Sequence, residues 1–321
     1  MLRGIKAALE AEGLKVQAMC LTHTGSRNCG GGAMTAHSFV IRHVLNGTWA
    51  GDVLLIDEIS FMPVELLGLV EHLRLRGVRI ICFGDFGQLS CPSNKYRGCD
   101  VAPGLFESSQ LLCQWSQGTR FTLKRCRRSD QAHFDFYTRL GPKSLEAALN
   151  RYPWSGQECD WHLTMSHFNR KRINDALQKR AAAKVPDGEK IWVDGGETPF
   201  HCFVGTRLIG SNNSHAKIVN GSFLTVTELR GEDVVIRDED TDEVFVISTS
   251  QLASHTRLRW ALTLVSVQGR TLQGSIGIHD FGSCFFTLAH LYVALSRATS
   301  GTLVFLVPPD WRPYLFSPPL K

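Results

Sequence analysis

Residues 1–12 place apolar side chains at helical spacing among lysines and acids, and Gly13 follows as a stop, so the chain is expected to open on an amphipathic helix. "KVQAMCLTH" (15–23) then reads as a strand. Two further strand-like runs, "VLLIDE" (53–58) and "VRIICFGD" (78–85), each end in acid, and between them "ELLGLVEHLRLRG" (65–77) returns to helical spacing with a glycine stop at Gly77. "LFESSQLLCQW" (105–115) predicts a helix, "RFTLKRC" (120–126) a strand and "DQAHFDFYTRL" (130–140) another helix. Helices that alternate with strands in this way build a parallel sheet covered on both faces.

The stretch 141–160, with two prolines and "WSGQE", is expected to connect a first domain (1–140) to a second (161–321). The alternation restarts there with "WHLTMS" as strand, "NRKRINDALQKRAAA" as helix and "HCFVGTRLI" as strand. From about 222 to 255 the period falls to two in "SFLTVTEL" and "DVVIRDEDTDEVFVISTSQL", joined by turn-like "RGED" and "EDTD", which predicts a small all-β insertion. Strand, helix and strand then resume in "ALTLVSVQG", "SIGIHD", "TLAHLYVALSRAT" and "TLVFLVP". The fold class expected is α/β, with two parallel-sheet domains.

A chain of 321 residues suits two cores rather than one, and 43% hydrophobic with 20% charged residues is the balance of a folded globular protein. The formal charge of +5 tolerates a polyanionic partner without requiring one. Ten cysteines are scattered with no C-x-x-C pair and no tight Cys/His spacing, which favours free thiols in a reducing compartment over disulfides or zinc. No apolar run reaches the roughly eighteen residues of a membrane span. A soluble, intracellular protein without a membrane partner is expected, with monomer as the expected oligomeric state.

The candidate chemistry sits where apolar runs stop. Asp57 and Glu58 end a buried strand, the edge at which open α/β sheets hold ligands, and such acids can carry Mg²⁺ and activate a water; a solvated strand end is the plain alternative. "FGDFGQL" (83–89) repeats the arrangement with Gln88, an uncharged group able to sense a phosphate or its water, or simply part of a turn. Arg128 in "TLKRCRRSD" and Arg297 in "YVALSRAT" are cations of the kind that stabilise a transferring phosphate, or else a surface patch and a helix C-terminal charge. "LTHTGSRNCGGGAMTAHSF" (21–39) and "ALTLVSVQGRTLQG" (261–274) are strands running into hydroxyl- and glycine-bearing loops, suited to phosphate contacts along a single strand, with His37 and Phe39 as base-stacking rings, or else two flexible loops.

Taken in order, "THTG…TAHSF", "LLIDEIS", "GDFGQL", "LKRCRRSD", "KIVNGSFLTV", "LVSVQGRTL" and "YVALSRAT" resemble the motif series of superfamily 1 helicases. The pattern is most similar to the superfamily 1B branch of RecD-like and Pif-like enzymes, including the phage Dda helicase, which move 5′ to 3′ on single-stranded DNA. The resemblance runs from about residue 20 to 308. It implies two RecA-like domains with ATP between them, DNA across their tops and a small SH3-like module departing at "VNGSFLTV". By this resemblance Asp57 binds Mg²⁺ at the Walker B position beside Glu58, Gln88 is the glutamine of G-D-x-x-Q-L, and Arg128 and Arg297 serve the phosphates. Gln268 and Gly269 match the Q-G turn on the nucleotide side. Thr22, His23, Thr24, Gly25, His37, Ser38, Phe39, Ser266 and Thr271 fall on the nucleic-acid side. Two departures are small: Phe86 stands where many members have proline, and Val267 follows Ser266 where lysine or serine is common.

One departure is large. The 321 residues contain no G-x-x-x-x-G-K-[ST] phosphate loop; "NCGGGAMT" has the glycines but no lysine. By the resemblance Met1 falls within the helix that follows that loop, so the first RecA-like domain is expected to be incomplete, an N-terminally truncated helicase that is inactive alone. ATP and Mg²⁺ are the implied cofactors and single-stranded DNA the partner, with RNA left open. The competing expectation is a helicase-derived remnant that grips single strands without ATP; a nuclease using Asp57 and Glu58 as metal ligands would need further acids near that edge.

Overall fold

The computed structural model describes residues 1–91, 94–215 and 217–308, and it divides into two compact units, 1–124 and 125–321. The end of the expected second domain, 309–321, lies outside the described residues. The division falls after Lys124 instead of at 140, because the segment 125–160 pairs with the later chain: Leu306 N donates to the Tyr152 carbonyl at 2.8 Å, and His133 bridges the Tyr152 hydroxyl and the Leu295 carbonyl at 2.8 Å each. The expected connector also contains a helix, Ser144–Arg151.

The first unit is a four-stranded, all-parallel sheet. Its strands are β1 (Val16–Cys20), β2 (Met34–Thr35), β3 (Val53–Ile56) and β4 (Arg79–Cys82), in the order β2-β1-β3-β4. All four residues of β3 are buried, the mark of a central parallel strand covered on both sides. Leu54 and Ile56 join Met19 and the helix α4 (Val64–Leu75) in one core through Leu66, Leu67, Val70 and Leu73; Val53 and Leu55 join Ala18 and Cys20 in a second, against Leu2 and Leu9 of α1 (Leu2–Ala11). Alternation along β3 therefore feeds two separate layers.

The expected helix 105–115 is two short ones, Pro103–Glu107 and Gln110–Ser116, because Ser109 interrupts the first and caps the second through its hydroxyl. "RFTLKRC" forms no strand. Phe121 is 89% and Leu123 64% exposed, so an alternating pattern without a neighbouring strand stays irregular.

In the second unit a parallel sheet runs in the order Ala261–Thr263, Trp161–Thr164, Ile276–Ile278, Val304–Leu306, with the helix His167–Ala182 packed against it. "HCFVGTRLI" is not one strand: a turn at Val204–Gly205 separates Phe200–Phe203, paired with Lys190–Val193, from Arg207–Gly210. Arg207–Gly210 opens a five-stranded antiparallel sheet with Phe223–Arg230, Asp233–Asp238, Val244–Ser248 and Thr256–Leu258. The all-β element expected over 222–255 is thus present and wider, and it buries one face around Leu208, Leu224, Val226, Val234, Ile236, Phe245 and Ile247.

Candidate functional site

At the carboxyl end of β3 the backbone of Asp57 continues the ladder, donating to the Met19 carbonyl at 2.9 Å, and its side chain lies 3.6 Å from the buried Cys29 thiol. Burial pushes the Asp57 carboxyl above the usual carboxylate range, with hydrogen bonds from the Glu58 backbone and Cys29 opposing the shift. Glu58 follows at φ 53°, ψ 44°, a left-handed conformation that costs on the order of 1 kcal/mol for a side chain with a Cβ. That turn starts the short helix Ile59–Phe61, whose first N–H bonds the Phe83 carbonyl at 2.9 Å.

This bond sets the ends of β3 and β4 against one another. A Cβ at Gly84 would sit 2.5 Å from Ile59 Cγ2 and 3.1 Å from the Ile59 nitrogen, so glycine there is a condition of the approach. Beyond it, Asp85 organises the loop: its carboxylate accepts from Gly87 N at 2.9 Å and from Gln88 Nε2 at 3.5 Å, and its carbonyl accepts from Gln88 N at 3.2 Å. Gln88 Oε1 is buried with no hydrogen-bond partner among the described residues, an acceptor able to take a donor such as a water. The structure therefore brings Asp57, Glu58 and Gln88 to the ends of two adjacent strands.

As to a metal, no group of three His, Cys, Asp or Glu side chains forms a cage among the described residues. Asp57 fits instead an ion such as Mg²⁺, which keeps most of its waters and takes one or two carboxylates, and a dication would offset the burial that raises the Asp57 pKa.

The segment 21–39 is less loop-like than expected. Thr22 caps the helix α2 (His23–Cys29), accepting from Gly25 N at 3.0 Å, so its hydroxyl is engaged in the fold. His23 and Thr24 are half-buried, and burial lowers the His23 pKa, with Arg27 adding to the shift. Gly25 is buried, and a Cβ there would lie 2.2 Å from Cys20 Sγ, so the approach requires glycine. His37 is exposed and Ser38 half-buried on the turn α3 (Ala36–Phe39). Phe39 corrects the expectation: it is fully buried, its ring 5.5 Å from His43 and 5.4 Å from Trp49, and it is not available to stack on a base.

In the second unit Ser266 is half-buried in the turn Val265–Val267, its hydroxyl bonded to the Thr263 carbonyl at 2.8 Å, while Thr271 is exposed. Gln268 and Gly269 lie between, with Gly269 at φ 76°. Arg297 is 1% exposed and grips this turn from both sides: Nη1 donates to the carbonyls of Val267 (3.3 Å) and Arg270 (3.1 Å), and Nη2 to the Ser296 hydroxyl (2.8 Å). An arginine expected at a phosphate is here bonded into its own unit. Arg128 is exposed and donates to the Ser296 carbonyl at 3.1 Å, at the carboxyl end of the helix Leu288–Leu295, where a cation suits the helix dipole.

Arg270 went unnoticed in the sequence, because its partners lie far from it along the chain. Its guanidinium forms a two-pronged pair with Asp240 (3.1 and 2.9 Å), reaches the Gly221 carbonyl and sits 3.8 Å from the Phe223 ring centroid. The turn that Arg297 holds is thereby clasped to the antiparallel sheet.

No protein-family model matches the chain, and no curated protein matches it. Solved structures do. The Pif1 helicase of Candida albicans is 17% identical, with 99% of this chain and 90% of that one covered at a TM-score of 0.61. A Bacteroides Pif1 bound to single-stranded DNA is 19% identical (96% and 88% covered, TM-score 0.58), and a Bacteroides Pif1 in complex with ADP-AlF4 is 20% identical (95% and 85% covered, TM-score 0.56). With parallel sheets in both units, an antiparallel sheet in the second and near-complete coverage, the chain has the mixed α/β fold of the Pif1 helicases, built on RecA-like domains.

Proposed function

We propose that this chain is the body of an ATP-driven helicase or translocase on single-stranded DNA, moving 5′ to 3′ by its sequence resemblance to the superfamily 1B enzymes. The observation that carries the reading is the placement of Asp57, Glu58 and Gln88 beyond the ends of two adjacent strands, with the buried Oε1 of Gln88 lacking a hydrogen-bond partner among the described residues. Glu58 is the base that takes a proton from the attacking water, and Gln88 orients that water. Asp57 would hold a Mg²⁺ ion, which would supply charge neutralisation at the phosphate oxygens. Within the second unit, Arg128 offers a cation from an exposed position, and Arg297 fixes the Gln268–Gly269 turn between the carbonyls it binds. The complexes of the Bacteroides Pif1 neighbours with single-stranded DNA and with ADP-AlF4 support this reading.

A second reading, a single-strand binder that works without ATP, is favoured by one feature: the 321 residues contain no lysine-bearing phosphate loop. One experiment separates the two. ATP turnover with and without single-stranded DNA is measured for residues 1–321 and for the same residues joined to an upstream G-x-x-x-x-G-K-[ST] segment. DNA-stimulated turnover confined to the extended protein supports the helicase; DNA binding with no turnover in either supports the binder.

A further inference from the structure

At the carboxyl edge of the second unit's parallel sheet, three consecutive strand ends converge. Leu264 N donates to the Thr164 carbonyl at 2.9 Å, which sets the Ser266 turn beside the start of the helix His167–Ala182. Asp280, past the end of Ile276–Ile278 and at φ 64°, accepts from Met165 N (2.9 Å), Ser166 N (3.1 Å) and Asn169 Nδ2 (2.5 Å), fixing the same helix start from the other side. Between these anchors Phe168 is 66% exposed. Apolar burial does not account for that position, since the residues around it are tied down by these four hydrogen bonds while the ring is left largely in water.

The ring is not bare. The Arg172 guanidinium carbon lies 5.3 Å from its centroid, one helical turn on, and holds its face by a cation–π contact. Of the helix's other cations, Arg170 is buried against Glu197, Lys171 lies 3.7 Å from the same carboxylate, Lys179 pairs with Asp175 and Arg180 with Glu158, which leaves Arg172 as the cation set against the ring. Phe285, 74% exposed in the loop that follows Asp280, offers a second ring on this edge.

We propose that Phe168, backed by Arg172, is a base-stacking platform for single-stranded nucleic acid, next to the Ser266–Thr271 turn. It rests on the single-strand reading above and adds to it a contact to the base. A planar ring beside a cation accepts any base, so the platform supplies affinity without sequence preference.

The test is fluorescence anisotropy with labelled oligothymidylate and an abasic strand of equal length, about 12 nucleotides, over a range of salt. The unsubstituted protein is expected to prefer the strand with bases. Phe168→Ala is expected to weaken oligothymidylate binding about 5- to 100-fold while leaving the abasic affinity and the salt slope unchanged, and Phe168→Trp to restore the preference. Oligothymidylate binding by Phe168→Ala equal to that of the unsubstituted protein overturns the platform, as does equal weakening for both strands. If the unsubstituted protein binds neither strand, the single-strand reading itself fails and takes the platform with it.

Discussion

Arg128 and Arg297 meet on one residue: Nη1 of Arg128 donates to the Ser296 carbonyl at 3.1 Å, and Nη2 of Arg297 to the Ser296 hydroxyl at 2.8 Å. Their surroundings differ sharply, for Arg297 is enclosed and Arg128 is exposed. Arg297→Ala leaves the Arg270 carbonyl without the donor that Arg297 supplies and takes one of two donors from the Val267 carbonyl, and is expected to cost about 2 to 4 kcal/mol in urea unfolding. Arg128→Ala should stay within about 0.5 kcal/mol, as exposed charges do. Equal losses would remove the structural role assigned to Arg297.

Asp57→Asn separates stability from chemistry. Burial raises the Asp57 pKa, so the ionised carboxylate weighs against the fold: a group with a raised folded-state pKa contributes stability below its unfolded pKa and loses that contribution as pH rises through the folded value. At pH 7 the amide is therefore expected to melt a few degrees higher than the acid, and the difference should vanish below about pH 4. In the extended, loop-bearing protein the same substitution should abolish ATP turnover. A lower melting temperature at pH 7 would contradict the account of burial.

His162, within the strand Trp161–Thr164, and His279, directly after the neighbouring strand Ile276–Ile278, form a buried pair with ring nitrogens 2.9 Å apart. Burial pushes His162 down to about 4 and His279 well below its ordinary value, with the neighbouring His162 adding to that shift. Both are neutral in the folded state at a pH where the unfolded chain takes up protons, so stability falls as pH drops from about 6.5 toward 4. The expected slope approaches about 1.4 kcal/mol per pH unit for each histidine, read from urea midpoints. Replacing both with glutamine should flatten it; an unchanged slope would place the acid sensitivity elsewhere.

Two glycines of the first unit predict opposite outcomes. Gly68 lies inside α4 with open space around it, so Gly68→Ala should stabilise by up to about 1 kcal/mol through helix propensity. Gly84→Ala forces Ile59 away from the end of β4 and should cost about 1 to 3 kcal/mol. Because Ile59 follows Glu58, the second variant should also lower turnover in the extended protein, whereas the first should not.

How much of this was legible in the chain depended on the range of the interaction. β3, β4 and α4 were readable because burial on both faces or on one stripe writes itself into consecutive residues. The acids and Gln88 were readable for the same reason, lying where those runs end. Phe39 was misread because a lone aromatic after a hydroxyl looks the same whether it faces solvent or, as here, His43 and Trp49. "RFTLKRC" shows the complementary limit: alternation specifies a face but supplies no partner strand. Arg297 reads as an exposed helix end until the carbonyls of Val267 and Arg270, about thirty residues earlier, close over it.

The entry and exit of the five-stranded sheet lie side by side: Arg207–Gly210 pairs antiparallel with Thr256–Leu258, Leu208 opposite Leu258. Everything between them leaves and re-enters through one doorway, held at the far side by Arg270 on Asp240 and Phe223. The parallel sheet therefore experiences that region as a closed loop with fixed ends, whatever its contents. Exchange of residues 211–255 for a different small β-module is therefore expected to leave the parallel sheet folded, provided the newcomer offers Arg270 an acid and a ring.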